Sequence, residues 1–98
     1  MQTFFLFGKY TTVAIKKISS ERTRKVVNTI QEMGGRVKSV YALLGNSDLV
    51  FIVNLPSAAT ATMVSITLTK MTGISFTTSV AIPVDEFDKM FNGKASRK

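Results

Sequence analysis

The sequence predicts an α+β domain of the ferredoxin-like βαββαβ type, a four-stranded antiparallel sheet with two helices on one face. Two observations carry this. Segments with a two-residue apolar period alternate with segments of helical spacing in the order strand, helix, strand, strand, helix, strand. The first and third strands are apolar on both faces, as the two central strands of that sheet must be. At 98 residues the chain has room for one core and no second.

Gln2 to Tyr10 is short and aromatic, the composition of a strand. Val13 to Ile18 has the length of a single helical turn. Ser20 and Glu21 then supply a cap and an acidic first turn for a longer helix, in which Val26, Ile30 and Met33 recur at i, i+4 and i+7. Gly34 and Gly35 end it, because glycine accepts the left-handed conformation that closes a helix. Strand two spans Arg36 to Leu44 and strand three Leu49 to Val53, with Gly45, Asn46 and Ser47 as turn formers between them. After Pro56 and Ser57, the segment Ala58 to Thr72 carries the stripe Ala61, Val64, Leu68, Met71 and reads as the second helix. Its threonines lower helix propensity without reversing the pattern. Strand four, Ile74 to Ile82, sets Ile74, Phe76, Thr78, Val80 and Ile82 against Ser75, Thr77, Ser79 and Ala81. Pro83 stops it, and Asp85 to Phe91 suits a short helix with an acidic start. Met33, Met63, Met71 and Met90 are expected in the core.

The formal charge is +7, and Lys94, Arg97 and Lys98 fall in a polar stretch after Gly93, so that +4 remains without them. Residues 1–92 are expected to form the domain and residues 93–98 a basic, flexible tail. The other basic residues are dispersed, which argues against sequence-specific nucleic-acid binding. An RNA-recognition module shares the strand order, but strand three lacks its basic, glycine-containing aromatic signature. The chain has no cysteine and no histidine. That removes disulfides, thiolate metal sites, a cysteine nucleophile and the usual general base. No metal site and no cofactor is expected. No run is long enough for a signal core or a membrane span, so a cytoplasmic setting without membrane association is expected.

Two helices leave one sheet face uncovered, and an exposed apolar face of that size calls for a contact. A second copy packing through the open sheet face is the economical solution, giving a homodimer. The stretch from Gly34 to Pro56 resembles the GYD-domain family, through Gly34, Gly35, Val37, Tyr41, Gly45, Asp48, Val50 and Pro56 at ungapped spacing. Phe7 to Thr11 and Ala81 to Phe87 extend the resemblance over nearly the whole domain. It implies a dimeric α/β-barrel assembly. The hairpin departs from the family's glycine, tyrosine and aspartate, reading Gly45, Asn46, Ser47, Asp48. The same hairpin is similar to the effector-binding domain of leucine-responsive transcriptional regulators, which implies a stand-alone amino-acid sensor, since no helix-turn-helix segment precedes it.

The candidate ligand-binding residues are Asp48, Tyr41, Gly45, Lys9 and Tyr10. Asp48 lies between a turn and an apolar strand, where an aspartate either meets a ligand or accepts backbone amides within the turn. Tyr41 brings a hydroxyl into the sheet, and Lys9 and Tyr10 stand at the exit of strand one, where a lysine attracts anions. A two-residue turn would pair Gly45 with Asp48 and Tyr41 with Ile52, setting Tyr41 and Asp48 on one face. The Ser75, Thr77, Ser79 row suits the lining of a polar pocket. The favoured reading is a non-catalytic dimeric module that binds a small molecule or a protein partner. The alternatives are a cofactor-independent enzyme of the dimeric barrel type and the amino-acid sensor. No catalytic residue is assigned.

Overall fold

The computed structural model describes residues 1–96, with side chains through Phe91. Its elements are β1 (Gln2–Lys9), α1 (Thr12–Ile15), α2 (Ser20–Glu32), β2 (Arg36–Ala42), β3 (Leu49–Leu55), α3 (Ala58–Thr72), β4 (Ser75–Ala81) and α4 (Val84–Ser96). The sheet runs β2-β3-β1-β4, antiparallel throughout. The strands expected to be central, β1 and β3, therefore are. Their register sets Phe4 beside Val53, Leu6 beside Phe51 and Gly8 beside Leu49 on the helix-covered face. Phe5, Phe7, Val50 and Ile52 fall on the opposite face.

The helices are fixed by local chemistry. Ser19, one residue before the expected cap, accepts from the amide of Arg22 through its hydroxyl, and Ser57 does the same for the amide of Thr60. Gly34 takes a φ of 92° after α2, and Gly73 takes 76° after α3, both in the region that only glycine enters cheaply. From α2, Val26 and Ile30 are buried; from α3, Ala61, Val64 and Leu68. These meet Phe4, Leu6, Phe51, Val53 and Leu55 in one core.

Three expectations are corrected. Of the four methionines assigned to the core only Met33 packs against it, whereas Met63, Met71 and Met90 are exposed. The buried stripe of α3 is narrow, ends at Leu68, and leaves Met63 and Met71 on its flanks. The hairpin is not closed by two residues. The amide of Leu43 donates to the Asp48 carbonyl at 2.8 Å, enclosing the four residues 44–47, with Gly45 at φ 138°. That loop sets the register, so Tyr41 pairs with Val50 and not with Ile52, and a bulge between Val37 and Ser39 shifts the pairing by one farther along β2. Finally, α4 (Val84–Ser96) is longer than the short helix expected over Asp85 to Phe91, and it runs into the stretch 93–98. Arg97 and Lys98 of that stretch lie outside the described residues.

α4 leaves the body after Pro83, and the molecule reaches 57 Å in its longest dimension against 18 Å in its shortest. Among the described residues no helix is long and apolar enough to cross a membrane.

Leu6 is fully buried between both helices and the sheet. Leu6→Ala is expected to cost about 2–5 kcal/mol, the usual range for a leucine truncation that leaves a cavity. Val80→Ala, at an exposed position of β4, should stay within about 1 kcal/mol. Urea unfolding of the two variants checks the contrast.

Candidate functional site

The hairpin loop folds back onto the end of β1. The Asp48 amide donates to the Gly8 carbonyl at 2.8 Å, and an Asp48 carboxylate oxygen accepts from the Tyr10 amide at 2.7 Å. Lys9 reaches the same loop, its Nζ donating to the Asn46 carbonyl at 3.0 Å. Asp48 and Lys9 thus clasp the loop to the strand exit with charge-assisted hydrogen bonds. Gly45 supplies the positive φ that the four-residue loop needs.

Tyr10 turns toward the helices. It is half-buried against the core, and the Arg22 guanidinium sits 5.4 Å from its ring centroid. The same guanidinium donates to the Ala14 carbonyl at 2.6 Å. Tyr10 therefore anchors the β1–α1 connection. Of the five candidate residues, Asp48, Lys9, Tyr10 and Gly45 converge on one clasp. Tyr41 stands apart on β2, exposed on the open face beside Val50.

That open face is the other chemically distinct surface. Its centre is Phe5 and Phe7, with ring centroids 6.0 Å apart, flanked by Val50 and Ile52. Val50 is only 5% exposed although no element among the described residues packs over it, with Phe7 and Tyr41 paired to it on its two sides. On the β4 side the face ends in the hydroxyl row: Thr77 pairs with Phe7 and Ser79 with Phe5. At the end where β1 begins and β4 finishes, Thr3, Phe5, Ile52 and Lys38 join Ala81 to Val84 around a hollow of about 350 Å³. Lys38 is its one charged group. The Thr3 hydroxyl is bonded to the Asn54 side chain at 3.0 Å.

Sequence reasoning did not find this hollow. Lys38 reads as an ordinary solvent-facing strand residue, and only the bulge beside it shows that two consecutive residues stand opposite Ile52. The turn from β4 into α4, which brings Pro83 and Val84 over the face, has no signature beyond the proline.

The GYD domain family model matches residues 4–91. Among solved structures, the chain resembles the leucine response regulatory protein of Mycobacterium tuberculosis, with 13% identity, 84% of this chain and 51% of that one covered, and a TM-score of 0.61. An AsnC family transcriptional regulator from Agrobacterium tumefaciens gives 17% identity, 83% and 50% coverage, and a TM-score of 0.56. A hypothetical protein from Pyrococcus horikoshii gives 22%, 85% and 92%, and 0.53. The chain spans about half the length of the two regulators. No match is found among curated proteins. At these identities the likeness is one of fold alone, the ferredoxin-like arrangement of a four-stranded antiparallel sheet with helices.

Asp48→Ala removes the acceptor for the Tyr10 amide and is expected to cost about 1–3 kcal/mol, the usual loss for a partly buried bond to a charged group. Asp48→Asn keeps an acceptor and should lose less. Denaturant midpoints of the two variants test this order, and equal midpoints for both and the parent would leave the clasp without a structural role.

Proposed function

The chain belongs to the GYD-domain family, and from that premise we propose that it is a non-catalytic binding module working as a homodimer, whose sheets close face to face around a small molecule. The observation that carries this reading is the open face itself. Phe5, Phe7 and Ile52 remain half-exposed in a contiguous apolar centre that no helix covers among the described residues, and single chains rarely leave such a centre to water. A second copy covers it without requiring any new surface.

A closed interface of this composition has the parts of a ligand site. Aromatic and aliphatic side chains supply the packing surface, while Thr77, Ser79 and the Tyr41 hydroxyl supply a few orienting hydrogen bonds. The small molecule is accordingly mostly apolar. Asp48, Gly45, Lys9 and Tyr10 serve this arrangement indirectly, by holding the hairpin beside β1. The solved structures of similar fold are named as a leucine response regulator and an AsnC family transcriptional regulator. Those names favour a sensing role over the alternative of a cofactor-independent enzyme, and an amino acid is the first ligand to try. The cysteine-free composition supports a reducing, cytoplasmic setting.

Light scattering on the parent chain and on Ile52→Arg tests the dimer. The parent is expected at twice the 10.7 kDa chain mass and the variant at the chain mass, because an unpaired charge is not tolerated at the centre of an apolar interface. A parent chain that stays monomeric at tens of micromolar, about −6 kcal/mol of association at most, overturns the reading. Native mass spectrometry of the purified dimer then looks for a retained small molecule.

A further inference from the structure

The hollow at the end where β1 begins and β4 finishes has the composition of a ligand pocket in its own right. Phe5 and Ile52 of the open face form its floor, the turn Ile82, Pro83, Val84 forms a wall, and the space enclosed is about 350 Å³. That is at the lower end of small-molecule pockets, about 300–1,000 Å³. From its chemistry we infer that the hollow takes a monocarboxylate with an apolar body, the carboxylate on Lys38 and the body on Phe5, Ile52 and Val84. All of these side chains belong to one chain, so the inference does not rest on the dimer proposed above.

The polar partners on offer select the ligand's polar group. Lys38 is the single charged residue of the lining, and no carboxylate engages it: the one ion pair among the described residues joins Lys25 and Glu21 on α2. Thr3, the other polar residue of the lining, donates its hydroxyl hydrogen to the Asn54 side chain at 3.0 Å. A hydroxyl has a single hydrogen to donate, so Thr3 has none left for a ligand, whereas the lysine ammonium carries three N–H donors and no acceptor. The group that fits is therefore an acceptor, and it is negative.

The number of charges follows. A phosphate dianion sets two charges against a lining with one cation, and a charge left unpaired beside apolar walls is costly. A carboxylate carries one. The acids of α4 leave that balance alone: Asp85, Glu86 and Asp88 are not in the lining, and Glu86 faces a neighbouring hollow with Met1 and Gln2. The bulge places the cation. Val37 pairs with Val53 and Ser39 with Ile52, so Lys38 is the inserted residue and stands at the edge of the floor beside Ile52. Arg36, paired with Asn54 in the next row, lies outside the lining and adds to the positive field that draws an anion to this end of the sheet.

Octanoate is the probe and octanamide its uncharged analogue, each titrated into the full-length protein while backbone amide shifts are followed by NMR. Octanoate is expected to saturate with a Kd below about 1 mM, ordinary for a ligand of that size, and to move the amides of Thr3, Ile52, Ala81 and Val84. Octanamide is expected to bind about fivefold more weakly or worse, the upper end of what an exposed ion pair contributes. Lys38→Met should bring octanoate down to the octanamide level, and Lys38→Arg should restore most of the difference. Val84→Trp fills the hollow and is expected to weaken both probes with the circular dichroism unchanged. Shifts centred on Phe7, Val50 and Thr77 would set the probe on the middle of the open face, overturning the hollow and leaving the proposed function intact. Absence of saturation, or equal octanoate affinity in the parent and Lys38→Met, overturns the inference as well. Light scattering on the same samples reads the dimer separately: a monomer that binds octanoate at the hollow leaves this inference standing and removes the dimer.

Discussion

Two helices cover one face of a four-stranded sheet, and among the described residues no helix of the body covers the other. Everything distinctive about the molecule follows from that shortage. The covered face holds a dense core in which Leu6, Phe51, Val53 and Leu55 meet Ile30, Val64 and Leu68. The uncovered face is built from the same two central strands, and its middle, Phe5, Phe7, Val50 and Ile52, is as apolar, with Thr3 and Asn54 at one end. Alternation along β1 and β3 turns Phe5, Phe7, Val50 and Ile52 to the reverse of the residues that fill the core. The apolar character of the open face is therefore carried by residues that share their strands with the core.

The clasp at the hairpin shows how the remaining polar groups are used. Asp48 lies where a family resemblance directs attention to a ligand, yet its carboxylate holds the Tyr10 amide, and Lys9 caps the loop carbonyl of Asn46. Both fix the relation between the hairpin and the strand beside it. With that relation fixed, Tyr41 and the Phe5–Phe7 pair keep a constant spacing on the open face. The arrangement of that face therefore depends on the clasp, although the clasp residues lie outside it.

Most of the architecture was legible in the sequence because the signals that set it are local. Helix α3 begins and ends at the expected residues, since Ser57 and Gly73 leave no doubt about either end. The central position of β1 and β3 followed from apolar residues on both of their faces. The details that escaped are those decided by non-local pairing. Neither the bulge between Val37 and Ser39 nor the four-residue hairpin loop carries its own composition, and each changes which side chains of β2 meet which of β3. The hollow around Lys38 depends on both the bulge and the turn into α4. The exposed flanks of α3 show the converse limit: helical spacing alone widens a stripe that the sheet beneath is too narrow to bury.

The bulge in β2 has a consequence for how the protein survives at concentration. An edge strand carries a row of unpaired amides and carbonyls, and a straight one recruits further strands without limit, the route to fibres. Interrupting the pleat at Lys38 twists that edge and breaks its regular hydrogen-bonding row. The charges of Arg36 and Lys38 raise the cost of sliding another strand alongside. Growth by strand addition is thereby disfavoured at the β2 edge, while the broad apolar face stays open, so that the surface most prone to contact is a face of fixed extent and not an edge that can be extended without limit.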